Sequence, residues 1–244
     1  MPESIEPHAG SALTAREALV DRWFDGTGTS YDRVVAGTTL GLDAHWKRRI
    51  LATLPERADR VLDLACGTGI VLERLALRYP HAELVGVDLT REYLDVAEAK
   101  LGRKGIRARL IHANAETVSL EGRFDAVSAS YLPKYVDADQ LLANLTPHVA
   151  PGGTVVMHDF TVPKALVTRW AWYGWMRLLA TAGRRVFPAW DKAFDDELLH
   201  FIVRSRWPRS FAQAFERHGY VDVERQSLSG RMATIVAARR APGA

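Results

Sequence analysis

The chain has 244 residues, of which 48% are hydrophobic and 25% charged, with 18 Gly, 11 Pro and a single Cys. These are globular values, so collagen-like, low-complexity and disulfide-framed chains are excluded, as is a Cys-based zinc site, and the length suits one large α/β domain. Net charge is +3, but residues 161–244 carry fourteen Lys/Arg against seven Asp/Glu, and 161–190 hold no acidic residue and four of the seven Trp, namely Trp170, Trp172, Trp175 and Trp190. That charge would suit a nucleic acid, but no nucleic-acid motif accompanies it, so no such partner is expected. No run approaches the ~18 apolar residues of a membrane span, and MPESIEPHAG lacks the basic and apolar regions of a secretory signal. A cytoplasmic protein is expected.

The first dozen residues read as loose chain. Helices are expected around Ala15–Phe24 and Leu42–Thr53, joined by a segment containing GTGTSYD. From Arg60 the pattern alternates. Strands are expected at Arg60–Asp63, Glu83–Asp88, Arg109–Ala113, Phe124–Ser130 and, after a Pro151-Gly152-Gly153 turn, Thr154–Phe160. Helices are expected at Ile70–Arg78, Arg91–Leu101 and near Ala138–Val149. Such alternation means βαβ units with right-handed crossovers and a mostly parallel sheet. Helices then fill 164–219, with Arg169, Arg177 and Arg184 on one narrow stripe of an otherwise apolar helix. Val221–Leu228, a Ser229-Gly230 turn and a strand around Met232–Ala238 read as an antiparallel hairpin. The expected fold is α/β, Rossmann-like and doubly wound, with a mostly parallel seven-stranded sheet, a C-terminal antiparallel hairpin and a helical lid insert.

The strongest motif is Val61-Leu62-Asp63-Leu64-Ala65-Cys66-Gly67-Thr68-Gly69, where a strand ends and a helix begins. Gly67 and Gly69 allow a sharp turn and a close backbone approach to a ligand, and the helix N-terminus offers free N–H groups. No Gly-Lys-Ser/Thr follows, so this is not a P-loop, and Leu72 stands where a dinucleotide fingerprint wants its last glycine. Asp63 would repel a pyrophosphate and welcome an ammonium group. Cys66 has no His nearby in sequence and reads as a small loop residue, not a nucleophile. Asp88 ends Val85-Gly86-Val87-Asp88, where a carboxylate can accept hydrogen bonds from both hydroxyls of a ribose. In Asn114-Ala115-Glu116, past the third strand, a side-chain oxygen can take an adenine amino group.

Together these motifs resemble the class I S-adenosylmethionine-dependent methyltransferases over about residues 60–160. The resemblance implies S-adenosyl-L-methionine as cofactor, S-adenosyl-L-homocysteine as product and no metal. It implies that Gly67 and Gly69 flank the methionine part, with Asp63 near its amino group. Asp88 would hold the ribose, and Asn114 with Ala115 the adenine; the family usually has Asp where Asn114 stands. Tyr31, Ala65, Leu89 and Ser130 complete the implied cofactor set. The division implied is one domain, 1–244: a helical cap (1–55), a cofactor-binding core (56–160), a lid and acceptor insert (161–210) and a C-terminal helix and hairpin (211–244).

The likeness extends further. Trp23-Phe24-Asp25, Tyr31-Asp32, Gly41-Leu42-Asp43 and Trp46-Lys47-Arg48-Arg49 are similar to the N-terminal motifs of the ubiquinone/menaquinone C-methyltransferases. So are the run Pro151–Pro163, and Arg206-Trp207-Pro208, His218-Gly219-Tyr220 and Leu228-Ser229-Gly230. Two segments depart from that family: Tyr131-Leu132-Pro133-Lys134-Tyr135 stands where it shows G-L-R-N, and the long insert lacks its Y-x-Y-L-P-x-S-I run. The acceptor implied is a small lipophilic or aromatic molecule, by C-methylation of a quinol-like or phenolic ring or by O- or N-methylation of another lipophilic compound. A base or anion stabiliser would help ring methylation. His158, Asp159 and Tyr131, at the ends of the fifth and fourth strands, are the candidates. His158 and Asp159 point to opposite faces of a regular strand, so one of them is expected to face the pocket. The Trp/Arg-rich insert is the candidate lid and a candidate peripheral membrane contact. A non-methylating cofactor-binding protein on this scaffold is the remaining alternative, and the oligomeric state is open.

Overall fold

The computed structural model describes residues 17–20, 22–186, 190 and 201–243. Its core is a seven-stranded sheet in the order β3-β2-β1-β4-β5-β7-β6. The strands are β1 (Arg60–Leu64), β2 (Glu83–Asp88), β3 (Arg109–His112), β4 (Phe124–Ser130), β5 (Val149–Phe160), β6 (Tyr220–Leu228) and β7 (Ala233–Arg240). β1 to β5 run parallel, and β7 is antiparallel to both β5 and β6. Helices α1 (Tyr31–Thr38) and α2 (Leu42–Thr53) precede the sheet. Then come α3 (Ile70–Arg78), α4 (Arg91–Arg103), α5 (Ala138–Leu145), α6 (Leu166–Leu178) and α7 (Trp207–Arg217). The doubly wound α/β fold with its antiparallel C-terminal strands is as expected.

Period-two alternation sorts the strand residues between two cores. On β1, Leu62 and Leu64 join Phe124, Leu141, Phe211 and Phe215 on one face. Val61 joins Trp46, Ile50, Leu72 and Leu75 on the other, which is therefore the face of Asp63. On β5, Val155 and Met157 belong to the first core and Val156 to the second, so His158 and Asp159 do point to opposite faces. α7 earns its place by spacing: Trp207, Phe211, Ala214 and Phe215 are buried on one face. Burying each large apolar side chain contributes roughly 1.5–3 kcal/mol.

Several expected boundaries move. β1 reaches Leu64, α4 reaches Arg103, β3 stops at His112, β6 begins at Tyr220 and β7 runs on to Arg240. α5 stops at Leu145, and a 3-10 turn, Thr146–His148, leads into β5. β5 begins at Val149, ahead of Pro151-Gly152-Gly153, and its pairing with β4 shifts register between Phe124 and Ala126. There Gly153 lies so close to the backbone that an added Cβ would sit 2.8 Å from Ala150 O and 3.0 Å from Phe124 O. The turn thus becomes a bulge that only glycine fits. Of the expected helix Ala15–Phe24, residues 17–20 and 22–24 are helical and the remainder lies outside the described residues. In the insert, α6 continues through a π-helical turn, Leu179–Gly183; residues 187–189, 191–200 and the side chain of Arg184 lie outside the described residues.

Candidate functional site

The sheet order reverses between β1 and β4, and in open α/β sheets the crevice at that switch point receives ligands. A cavity of about 440 Å³ lies there. The β1–α3 loop forms one wall, and Ala65, Gly67 and Gly69 all have positive φ (54°, 54° and 78°). For Ala65 this is a strained conformation that the surrounding structure must enforce. Asp88 supplies part of the enforcement. Its Oδ2 accepts from the Gly67 N–H at 2.7 Å and its Oδ1 from the Thr90 N–H at 2.8 Å. Burial raises the Asp88 carboxyl, while these two backbone donors work against that shift.

Of the residues implied for the cofactor, Tyr31, Ala65, Gly67, Asp88, Leu89, Asn114, Ala115 and Ser130 line the cavity. Asp63 and Gly69 do not. Gly69 caps α3 and turns toward α4, where an added Cβ would lie 3.3 Å from the Ala97 Cβ. Its positive φ of 78° serves the turn from β1 into α3. Asp63 is buried beneath the loop; its Oδ1 accepts from Ser128 Oγ at 2.6 Å, and its Oδ2 has no partner among the described residues. Burial pushes this carboxyl up to about 7. Asn114 is also engaged: Nδ2 donates to Glu17 Oε1 at 2.6 Å and Oδ1 accepts from the Glu116 N–H at 2.7 Å. Glu17 lines the cavity too, and an Asp in place of Asn114 would set two carboxylates against each other.

The segment before α1 straps across this end. Glu92 accepts the N–H groups of Gly26 and Gly28 at 2.9 and 3.0 Å. Tyr31 packs on Tyr93 and Trp190, with ring centroids 5.0 and 5.7 Å apart. Thr68 donates to Asp32, which also pairs with Lys100.

The other end of the cavity is apolar. Leu42, Trp46, Phe160 and Met232 line it, with Trp172, Trp175, Met176 and Leu179 from the insert. Trp175 Nε1 donates to Thr38 O at 2.8 Å, tying α6 to α1. Among the three candidate acid–base groups, Tyr131 lines the cavity, and neither His158 nor Asp159 does. This corrects the expectation that one of the pair faces the pocket. His158 is fully buried on the α2 face between Trp46 and Tyr131, with Ser130 Oγ 3.0 Å from Nδ1. Burial pushes its imidazole down to about 3, so it is neutral. Asp159 is fully buried on the opposite face under the Tyr131–Tyr135 loop, 2.9 and 3.1 Å from Lys134 Nζ. The Lys134 and Phe160 N–H groups also donate to it. Its acceptors are thus satisfied by protein.

Tyr131 is held in place on every side. It has φ of 66°. Its N–H donates to His158 O at 2.8 Å, and its carbonyl accepts from Lys134 Nζ at 2.9 Å. Its ring stacks on Phe160 at 4.9 Å. Its hydroxyl donates to Asp43 Oδ1 at 2.8 Å, the atom that also accepts from Lys47 Nζ. Asp43, Lys47 and Lys134 were not among the candidate site residues. The i, i+4 spacing of Asp43 and Lys47 on one helix was the available signal for that pair.

A protein-family profile described as a methyltransferase domain matches residues 61–153. The chain is 30% identical over 207 residues to the ubiquinone/menaquinone biosynthesis C-methyltransferase UbiE of Desulfotalea psychrophila, covering 84% of this chain and 83% of that one. It is 28% identical over 233 residues to the demethylmenaquinone methyltransferase of Clavibacter sepedonicus, covering 93% and 91%. Among solved structures, geranyl diphosphate C-methyltransferase from Streptomyces coelicolor A3(2) superposes with a TM-score of 0.61 at 15% identity, over 98% of this chain and 100% of that one. The plantazolicin methyltransferase BpumL, bound to a monoazolic desmethylPZN analog and SAH, gives 0.63 at 15%, over 95% and 97%. At such identities the structures speak to fold alone. The sequence relatives speak to more: the chain is an S-adenosylmethionine-dependent methyltransferase and belongs to the ubiquinone/menaquinone biosynthesis C-methyltransferase family.

Proposed function

We propose that the whole chain acts as one methyltransferase unit that places a methyl group on a ring carbon of a quinol-like or phenolic, lipophilic acceptor. The observation that carries this reading is the division of one cavity into two chemistries. At one end Asp88, Asn114 and the Gly67 backbone offer polar groups; at the other Trp46, Phe160, Trp172 and Trp175 offer apolar and aromatic walls. S-adenosylmethionine fits the first end. Asp88 retains lone pairs for the ribose hydroxyls, Leu89 and Ala115 would hold the adenine, and an added Cβ on Gly67 would meet only the Tyr93 ring, at 3.8 Å, so the backbone is open there. The Asp63 Oδ2 behind the loop, unpartnered among the described residues, suits a link to the methionine ammonium. When bound, the cofactor supplies an electrophilic methyl group. The protein's part is to align the acceptor ring and exclude water, a task suited to Trp172 and Trp175 from the insert.

The outer face of the insert supports delivery of the acceptor from a membrane surface. Leu166, Val167 and Trp170 are 64%, 81% and 70% exposed on α6, whose opposite face lines the cavity. A helix apolar on both faces, in a segment without acidic residues, suits an anionic lipid interface. No helix among the described residues is long and apolar enough to cross a membrane.

The test is to incubate the full chain with S-adenosylmethionine and a panel of chemically reduced short-chain naphthoquinols and benzoquinols, phenols and amines. S-adenosylhomocysteine release is measured, and the new methyl group is located by NMR. A ring C–CH₃ product is expected; an O- or N-methyl product would overturn the assignment. Vesicle co-sedimentation that increases with anionic lipid and falls in Trp170→Ser would support the delivery route, and equal sedimentation of both proteins would overturn it.

A further inference from the structure

We propose that Glu17, in the helical segment 17–20, reads the adenine amino group of the cofactor, and that Asn114 is the positioning residue that aims it. This rests on the reading of the polar end of the cavity as the cofactor's. The exocyclic amino group of adenine is a donor only, so the protein must meet it with an acceptor.

Asn114 is poorly supplied for that task. One orientation of its amide satisfies both neighbours: Oδ1 accepts from the Glu116 N–H at 2.7 Å, and Nδ2 donates to Glu17 Oε1 at 2.6 Å. The reverse orientation would set an NH₂ against an N–H and an oxygen against an oxygen. The amide oxygen is thus uncharged and already shared, and the amide nitrogen is itself a donor. Glu17 has what the asparagine lacks. It lines the cavity, and its side chain makes no other hydrogen bond among the described residues, so Oε2 is open to a ligand. Two further acidic side chains line the cavity, and both are engaged: Asp88 accepts from the Gly67 and Thr90 backbone, and Glu116 Oε1 accepts from the Asp137 N–H at 2.8 Å. The hydroxyls that line it, Tyr31 and Thr90 among them, are uncharged and weaker acceptors than a carboxylate.

The segment that carries Glu17 is held in place. Leu19 and Phe24 pack against Trp23, Val34 and Trp190, and Val20, three residues on from Glu17, lines the cavity with it. The pairing also accounts for the asparagine. An aspartate after β3 would stand against Glu17; with Asn114 the carboxylate of this pair comes from the N-terminal helix instead. A ligand with a carbonyl where adenine has its amino group would meet Glu17 oxygen against oxygen. Rejection by an unpaired polar group is the stronger form of specificity.

The experiment is calorimetry on the full chain with S-adenosyl-L-homocysteine and S-inosyl-L-homocysteine, which carries that carbonyl. The wild type should bind the adenosyl ligand at least about tenfold more tightly, and Glu17→Ala should bring the two within about threefold. Glu17→Gln keeps the Asn114 bond through its amide oxygen and so turns its NH₂ to the cavity, which should reverse the preference. Asn114→Asp should weaken the adenosyl ligand about tenfold by setting two carboxylates together. Adding Glu17→Gln to it leaves one carboxylate and one amide, and should return affinity and preference to within about threefold of wild type. A Glu17 that merely packs would weaken both ligands alike and leave their ratio intact, so a preference that survives Glu17→Ala and Glu17→Gln overturns the proposal. No preference in the wild type, with adenosyl binding that still falls in Asp88→Ala, overturns the proposal alone. Adenosyl binding indifferent to Asp88→Ala, or no binding at all by folded protein, overturns the cofactor reading with it.

Discussion

Replacing Asp88 by Ala should separate two jobs done by one carboxylate. In the folded protein it accepts backbone hydrogen bonds from Gly67 and Thr90; in the cofactor complex it would also accept from the ribose. Hydrogen bonds to a charged group are worth about 1.5–3 kcal/mol each, less where water can replace the lost partner. Both backbone donors are part-buried, so the loop should lose about 2 kcal/mol in all. For a chain of this size that lowers the melting temperature by roughly 4–8 °C. Losing the ribose acceptor should cost about 3 kcal/mol more in binding, or roughly a hundredfold in affinity. Asp88→Asn is the informative companion. Its amide retains one acceptor oxygen but sets an NH₂ against either the Gly67 or the Thr90 N–H. It should therefore match the Ala variant in lost stability while losing less affinity. Thermal melts of the apo protein and calorimetry with S-adenosylmethionine would read the two effects. A folded Asp88→Ala protein with unchanged cofactor affinity would refute the assignment.

Gly69→Val should lose about 2 kcal/mol or more, because valine must adopt a left-handed φ and crowd Ala97 on α4. Its folded fraction should still bind S-adenosylhomocysteine within a few-fold, and loss of binding in fully folded protein would show that the loop glycine faces ligand after all. Trp175→Phe removes the hydrogen bond to Thr38 O and should raise the acceptor KM while leaving cofactor affinity within a few-fold; unchanged acceptor kinetics would make α6 a purely structural cover. Asp63 is held at about 7, above its ordinary value of 3.8, so the folded apo protein keeps a proton that the unfolded chain gives up. Its contribution to stability is therefore present at low pH and is lost as pH rises between about 4 and 7, by at most about 1.4 kcal/mol per unit. The unfolding free energy of Asp63→Asn relative to wild type should increase from pH 5 to 7 and then level off, and a pH-independent difference would contradict the buried protonated carboxyl.

The strands and the Gly-rich loop were legible because their signals are local. Apolar runs of strand length alternate with helical spacing, and positive-φ glycines punctuate the turn. The residue pattern led to the polar end of the cavity for the same reason, since Asp88 ends a strand and Ala65, Gly67, Leu89, Asn114 and Ala115 follow strand ends. What misled was decided by tertiary contact. Asp159 stands at a strand end, but a loop folds back to lay Lys134 over it. His158 follows the strand's alternation correctly and yet points into packed helix, not cavity. The Asn114 amide is engaged by Glu17, 97 residues away, which no local window reveals. Tyr131 was a candidate on position alone; its hold on Asp43, 88 residues away, was hidden in the same way.

The sheet order also constrains the sequence of assembly. β7 follows β6 along the chain but lies between β5 and β6, so β6 has no strand to pair with until β7 has been made. During synthesis, residues 60–160 can complete five parallel strands while everything from Tyr220 onward waits for Arg240 to emerge. Throughout that interval β5 is an open, apolar edge, and α7 lacks two of the strands it packs against. The nascent chain is then most exposed to pairing with a second copy of itself. A deletion beginning at Ala233 would make that vulnerability permanent, because it orphans β6 together with the strand it removes.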